Sequence, residues 1–153
     1  MCERFKPSKE SGVVMSAEPN TSHPWVLTDV SLIIKKVDLD PEAVSQRLGI
    51  TATGVYRPEQ GPQGRNRGRE GIWRLQCDER TTRDFSEQLN TVLSATEEKQ
   101  VEIRELIMEG HEIHLSVYGF AGTGSVLPFS ARDLDRISRL NLPLELSPNT
   151  NAR

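Results

Sequence analysis

Hydrophobic and polar positions change their period several times along this chain, and each change marks an element. From Trp25 onward, Val26, Thr28, Val30, Leu32 and Ile34 alternate with Leu27, Asp29, Ser31, Ile33 and Lys35. A period of two with β-branched residues predicts a strand. Its second face is partly apolar as well, which predicts a central strand covered at least in part on both sides. Asp40-Pro41-Glu42 then reads as a helix start, because Asp is a good N-cap, Pro suits the first turn and Glu complements the helix dipole. Ala43, Val44 and Leu48 give that helix an apolar stripe, and Gly49 ends it. A strand is expected at about 54–57 and another over Ile72–Cys77, with Trp73, Leu75 and Cys77 on one face.

Further along, Thr81 to Asp84 has capping-box spacing and predicts a helix start. Phe85, Leu89, Val92, Leu93 and Thr96 form one face, which Gln100, Ile103 and Ile107 continue at a period near 3.6 until Gly110. An unbroken helix over 82–109 would run about 40 Å, long for a domain of this size. Ser94 with Glu97 makes a second capping box, so a break or bend is expected near 94–97. Ile113, Leu115 and Val117 alternate with His114, Ser116 and Tyr118 as a strand, and a glycine-rich turn follows over Gly119–Ser125. Ser130 with Asp133 caps a third helix, with Leu134, Ile137 and Leu140 inward. Leu142, Leu144 and Leu146 alternate as a last strand, and Pro143, which has no N–H to donate, places it at an edge. The order β-α-β-β-α-β-α-β predicts an α+β two-layer sandwich. Its expected core is a ferredoxin-like β-α-β-β-α-β arrangement, with an added helix and a C-terminal edge strand. Right-handed crossovers put the helices on one face of the sheet.

Composition narrows the class. Residues 1–24 are rich in Ser, Pro, Glu and Lys without a period and read as a flexible tail, 25–147 as one α+β domain and 148–153 as a polar tail. Met15 is as good a start as Met1. Charged residues make up 27% and hydrophobic residues 35% of the 153, which suits a globular chain rather than a disordered one. The net charge of −3 argues against a general nucleic-acid binder while leaving room for a local basic patch. No apolar run approaches the roughly 20 residues of a membrane span. The two cysteines, Cys2 and Cys77, do not suggest a disulfide framework and point to a reducing cytoplasm.

Candidate chemistry is sparse. His111 and His114 are three apart on a strand-like segment, where they point to opposite faces and do not converge on one ion, so no metal site and no cofactor is expected. The glycines at 119–124 are separated from the next helix by Val126-Leu127-Pro128-Phe129 and carry no Gly-Lys-Ser/Thr, unlike a phosphate cradle. Cys77 alternates with Trp73 and Leu75 and reads as a buried thiol. The best surface to suspect is a loop over 57–70. There Arg57, Arg65, Arg67 and Arg69 outnumber Glu59 and Glu70, with Arg74 on the strand beyond. Arginines interspersed with glycine can grip phosphates or carboxylates in bidentate fashion, or simply keep a solvated loop soluble. Tyr118 lies opposite the apolar face of its strand and is the exposed aromatic an RNA-binding sheet would use, although the RNP motif is absent.

Three segments in order carry a resemblance. The first is Asp38-Leu39-Asp40-Pro41-Glu42-Ala43-Val44 leading to Leu48-Gly49. The second is the Tyr56-Arg57 loop, rich in glycine, ending in Gly71-Ile72-Trp73-Arg74-Leu75. The third is Glu109-Gly110-His111-Glu112-Ile113 before a strand. Together, over residues about 26–148, they resemble the bacterial domain of unknown function 4279 family. The resemblance implies a small bacterial, cytoplasmic α+β protein. It transfers no catalytic residues, and it carries an association of such small domains with toxin–immunity and phage-defence genes.

The function expected is therefore a non-catalytic interaction or regulatory protein that binds a protein partner, an immunity protein being one form, and more an adaptor than an enzyme. The edge strand offers a route to pairing with a partner or a second copy. The alternatives are a nucleic-acid or nucleotide binder through the arginines of 57–74, and a small enzyme whose site is assembled without a motif.

Overall fold

The computed structural model describes residues 23–58, 69–77 and 84–150. Five strands and four helices follow in the order β1 (Val26–Val37), α1 (Pro41–Leu48), β2 (Gly54–Tyr56), β3 (Glu70–Gln76), α2 (Phe85–Glu98), α3 (Gln100–Met108), β4 (Glu112–Phe120), α4 (Ala131–Leu140) and β5 (Leu144–Asn149). The strands form one mixed sheet in the order β2-β3-β1-β4-β5. The pairs β2/β3, β3/β1 and β1/β4 are antiparallel, and β5 joins β4 in parallel as the outer strand.

The core lies on one face of this sheet. Val30, Leu32 and Ile34 of β1 stand in register with Trp73 and Leu75 of β3 and with Ile113, Leu115 and Val117 of β4. Val44 and Leu48 of α1, Leu89, Val92 and Leu93 of α2, Ile103 and Leu106 of α3, and Ile137 and Leu140 of α4 join the same cluster. The molecule is thus two layers, helices over one face of a sheet, which is the simplest way for both amphipathic element types to bury their apolar sides. Two buried polar contacts tie the layers together. Trp73 Nε1 donates to Ser45 Oγ at 2.9 Å, and Thr28 Oγ1 donates to Gln88 Oε1 at 3.0 Å.

Helix α1 forms as its sequence dictates. Asp40 accepts from the Ala43 N–H, Pro41 fills the first turn, and Gly49 closes the helix in the left-handed region at φ 64°. Its buried stripe is Pro41, Val44 and Leu48, with Ala43 exposed. Helix α2 is capped by Asp84, whose side chain accepts from Glu87 N, so Asp84 is itself the cap rather than the fourth residue of a box. Thr81 to Arg83 lie outside the described residues.

The expected break falls later than 94–97. The Thr96 hydroxyl donates back to the Val92 carbonyl at 2.7 Å, a contact that bends helices. Lys99, at φ −116° and ψ 26°, separates α2 from α3. The rephasing turns Leu106 inward and leaves Ile107 exposed. Ser94 and Glu97 do not cap a new helix. Both accept hydrogen bonds from Arg136 of α4. Arg136 belongs to a helix whose buried residues are Ile137 and Leu140, while Leu134, expected inward, is exposed.

Candidate binding site on the open sheet face

Among the described residues, no helix packs on the other face of the sheet. Strand alternation sends Asp29, Ser31, Ile33 and Lys35 of β1, Ile72, Arg74 and Gln76 of β3, and His114, Ser116 and Tyr118 of β4 to this side. A cavity of about 400 Å³ opens there, lined by Asp29, Ser31, Ile33, Arg74, Ser116, Tyr118 and Ser147. A second, of about 240 Å³, lies on the far side of Arg74 and runs along β2 and β3 past Gly54, Tyr56, Ile72 and Gln76. Arg74 is the residue shared by both.

Arg74 stands opposite Gly54 on β2 and Ile33 on β1. Its aliphatic stem lies against Gly54, where a Cβ would meet the Arg74 Cβ and Cδ at 3.9 Å. The residue is half-buried, and its guanidinium has no hydrogen-bonding or ionic partner among the described residues. Neighbouring groups are better matched. Gln76 Nε2 donates to Asp29 Oδ2, and Ser31 Oγ donates to Asp29 Oδ1 at 3.3 Å. Lys35 lies 3.4 Å from Glu112 and 3.9 Å from Glu70. Tyr118 Oη accepts from Asn149 Nδ2 at 3.0 Å, and its ring meets Phe120 edge to face with centroids 6.0 Å apart.

The described arginines among those singled out from the sequence, Arg57, Arg69 and Arg74, have different surroundings. Arg57 is ion-paired with Glu42 of α1, and its hydrogen bond holds the Glu42 carboxyl below its ordinary value while Glu42 raises Arg57. Arg69 is exposed at the start of β3, where its carbonyl accepts from Asp38 N at 3.3 Å. Arg65 and Arg67 lie outside the described residues. Arg74 and Tyr118, by contrast, line the same cavity.

Asp29, Ser31, Ser116 and Ser147 complete this cavity, and reading the sequence for motifs passes over them. Their signal is weak but real: on two central strands the positions opposite the core are polar at Asp29, Ser31 and Ser116.

His114 lies on the same face of β4 as Ser116 and Tyr118. It is 5% exposed, because Ile33 and the outer strand flank it. Its Nε2 lies 3.3 Å from Glu145 Oε1 on β5, and its Nδ1 has no partner. His111 is held elsewhere, with Nδ1 donating to the Leu106 carbonyl at the end of α3, 2.8 Å away. Among the described residues no three His, Cys, Asp or Glu side chains are grouped to hold a metal ion. Cys77 is a buried free thiol. No described helix is long and apolar enough to cross a membrane.

A family model described as a domain of unknown function, DUF4279, matches residues 24–151. Comparison with curated proteins and with solved structures gave no match.

Proposed function

The chain belongs to the DUF4279 family, and we propose that it is a non-catalytic binding protein whose open sheet face receives a protein partner. One observation carries this reading. Arg74, a half-buried residue whose guanidinium has no partner among the described residues, stands at the junction of two grooves on the face that no described helix covers. Its N–H groups reach solvent and can exchange water for the paired oxygens of a ligand. Among the described residues, no imidazole or thiol lines either groove, which supports binding over acid–base or nucleophilic chemistry. Tyr118 and Phe120, the exposed aromatic pair, offer the apolar anchor that protein interfaces favour. An immunity protein, holding a toxic partner inactive by this face, is one form of this reading.

A nucleic-acid strand fits the face less well. Its strand residues include the cations Lys35 and Arg74 against the carboxylates Asp29, Glu70, Glu112 and Glu145, and Lys35 is already paired. A polyanion would meet net repulsion there. The order β2-β3-β1-β4, antiparallel throughout, supports a ferredoxin-like core for this domain, with α4 and β5 added. The buried free thiol of Cys77 fits a reducing, cytoplasmic setting.

Affinity purification of the full chain from native cells tests the proposal. A single stoichiometric protein should accompany the wild type and be lost with Arg74→Met. Isolation of the chain alone would refute the reading. Recovery of nucleic acid that dissociates steeply with salt would replace it with the alternative.

A further inference from the structure

The donor and acceptor inventory of the larger groove is lopsided. Arg74 brings five N–H donors, none used among the described residues. The Ser116 and Ser147 hydroxyls have no partner there either. Tyr118 Oη already accepts from Asn149, which leaves its own proton to donate. The one carboxylate in the lining, Asp29, is engaged by Gln76 and Ser31. Among the described residues, the groove's unused charged donors are those of Arg74, and its carboxylate is already engaged. What completes it is an acceptor with two oxygens, since a guanidinium binds such a group through two parallel hydrogen bonds.

Two kinds of anion meet that description, and charge separates them. Phosphate at neutral pH carries more than one negative charge, and the surrounding strand residues already include four carboxylates against two cations. A single carboxylate meets the same donors with less repulsion. The space around Arg74 adds shape. The cavities of about 400 and 240 Å³ lie on either side of Arg74, one reaching Tyr118 on β4 and the other Tyr56 on β2. Two grooves that meet at one arginine suit an extended segment rather than a compact molecule.

We propose that this groove binds a peptide carboxylate, held bidentately by Arg74 and by the hydroxyls of Ser116, Ser147 and Tyr118, with the peptide running across the sheet toward Tyr56. The carboxylate is a chain terminus or an acidic side chain of the partner. The proposal rests on the protein-partner reading above and specifies its anchor.

The test is an NMR titration of the ¹⁵N-labelled full chain with four probes. These are acetyl-pentaglycine with a free carboxylate, its C-terminal amide, acetyl-Gly-Gly-Glu-Gly-Gly-amide, and inorganic phosphate. The Arg74 Nε–Hε signal and the backbone signals of Ser116 and Tyr118 should shift saturably with at least one carboxylate peptide and not with the amide. Whether the terminal or the side-chain carboxylate acts identifies the source. Arg74→Lys should weaken binding about tenfold, because an ammonium cannot form the paired bonds. Arg74→Met should abolish it while the signals of α1 and α2 stay in place. No saturable shift with either carboxylate peptide, an equal response to the amide, tighter binding of phosphate, or binding that survives Arg74→Met would each overturn the proposal. The two readings fail separately. A partner that accompanies the wild type and is lost with Arg74→Met, while neither carboxylate peptide shifts the Arg74 signal, keeps the partner reading and removes this anchor, whereas carboxylate binding by a chain that captures no protein does the reverse.

Discussion

Arg136 and Arg74 are both partly buried arginines, and they should respond to the same substitution in opposite ways. Arg136 is fully employed. Its Nε and Nη2 donate to the two carboxylate oxygens of Glu97 at 3.0 and 2.8 Å, Nη1 donates to Asn90 Oδ1 at 2.9 Å, and Nη2 also reaches Ser94 Oγ at 3.2 Å. These bonds join α4 to α2. Arg136→Met keeps much of the stem and removes all of them. Hydrogen bonds to charged groups contribute roughly 1.5–3 kcal/mol when desolvated. Here the Arg136 side chain is 14% exposed but that of Glu97 is 36% exposed, so water recovers much of the lost interaction. The net cost should be about 2 kcal/mol, or about 7 °C in Tm for a domain of this length.

Arg74→Met removes no hydrogen bond among the described residues and keeps the contact with Gly54. It should change stability by less than about 0.5 kcal/mol in either direction. Urea denaturation of both variants, followed by far-UV circular dichroism with the slope unchanged, measures the pair. An Arg136→Met loss below about 0.5 kcal/mol would show that the α2–α4 network is ornamental. An Arg74→Met loss above about 1 kcal/mol would show that Arg74 holds the fold, and would refute the reading of it as a binding group.

Acid should erase the Arg136 advantage. The hydrogen bonds from Arg136, opposed by burial, hold the Glu97 carboxyl below its ordinary value, so their contribution is intact above about pH 4.3 and is lost as pH falls through the depressed folded value. The gap between wild type and Arg136→Met should be constant from pH 7 to 5 and narrow below, and a gap that widens in acid would contradict the assignment. Gly119→Ala should cost about 1–3 kcal/mol, because the new methyl would sit 3.1 Å from Trp25 Cε3 and 3.2 Å from Thr28 Cγ2; chemical denaturation showing no loss would mean that Trp25 yields freely. Leu27→Gly should stabilise by about 0.5–1 kcal/mol, since Leu27 sits at φ 51° with an exposed side chain. A destabilised variant would show that the Leu27 side chain matters more than its backbone.

Much of the fold was legible because local signals and burial agreed. Asp40, Pro41 and Gly49 each act at α1 as their chemistry predicts, and the alternation over Thr28–Ile34 and Ile113–Val117 names the core face of β1 and β4, whereas Val26, expected on that face, is exposed. The misreadings share a cause. Ser94 with Glu97, Leu134 and Ile107 were judged by local spacing, but their roles are set by a residue from another element or by a break in phase. Arg136 draws Ser94 and Glu97 sideways, and no pattern within α2 reports that. The open face was harder still. Arg74 and Tyr118 are 44 positions apart in sequence and meet only because β3 and β4 both flank β1. Arg57, adjacent to the same loop, is drawn instead to Glu42.

One irregularity in β1 decides what that face offers. Val26 pairs with Phe120 and Asp29 with Tyr118, so β1 spends one residue more than β4 between these two pairs. The extra residue is accommodated at Leu27, the left-handed position, as a β-bulge. In an unbroken ladder Thr28 would stand opposite Tyr118 and face the groove, and the even positions that follow would face it as well. The bulge reverses this. It turns Thr28 inward, where it meets Gln88, and sets Val30, Leu32 and Ile34 on the helix side. It also delivers Asp29 and Ser31 to the open face, where they occupy each other and Gln76. Strain at a bulky residue of this kind persists only where the surrounding structure enforces it. Here the core and the groove both depend on the same shift of register, so the polarity of the open face follows from how β1 is seated in the sheet.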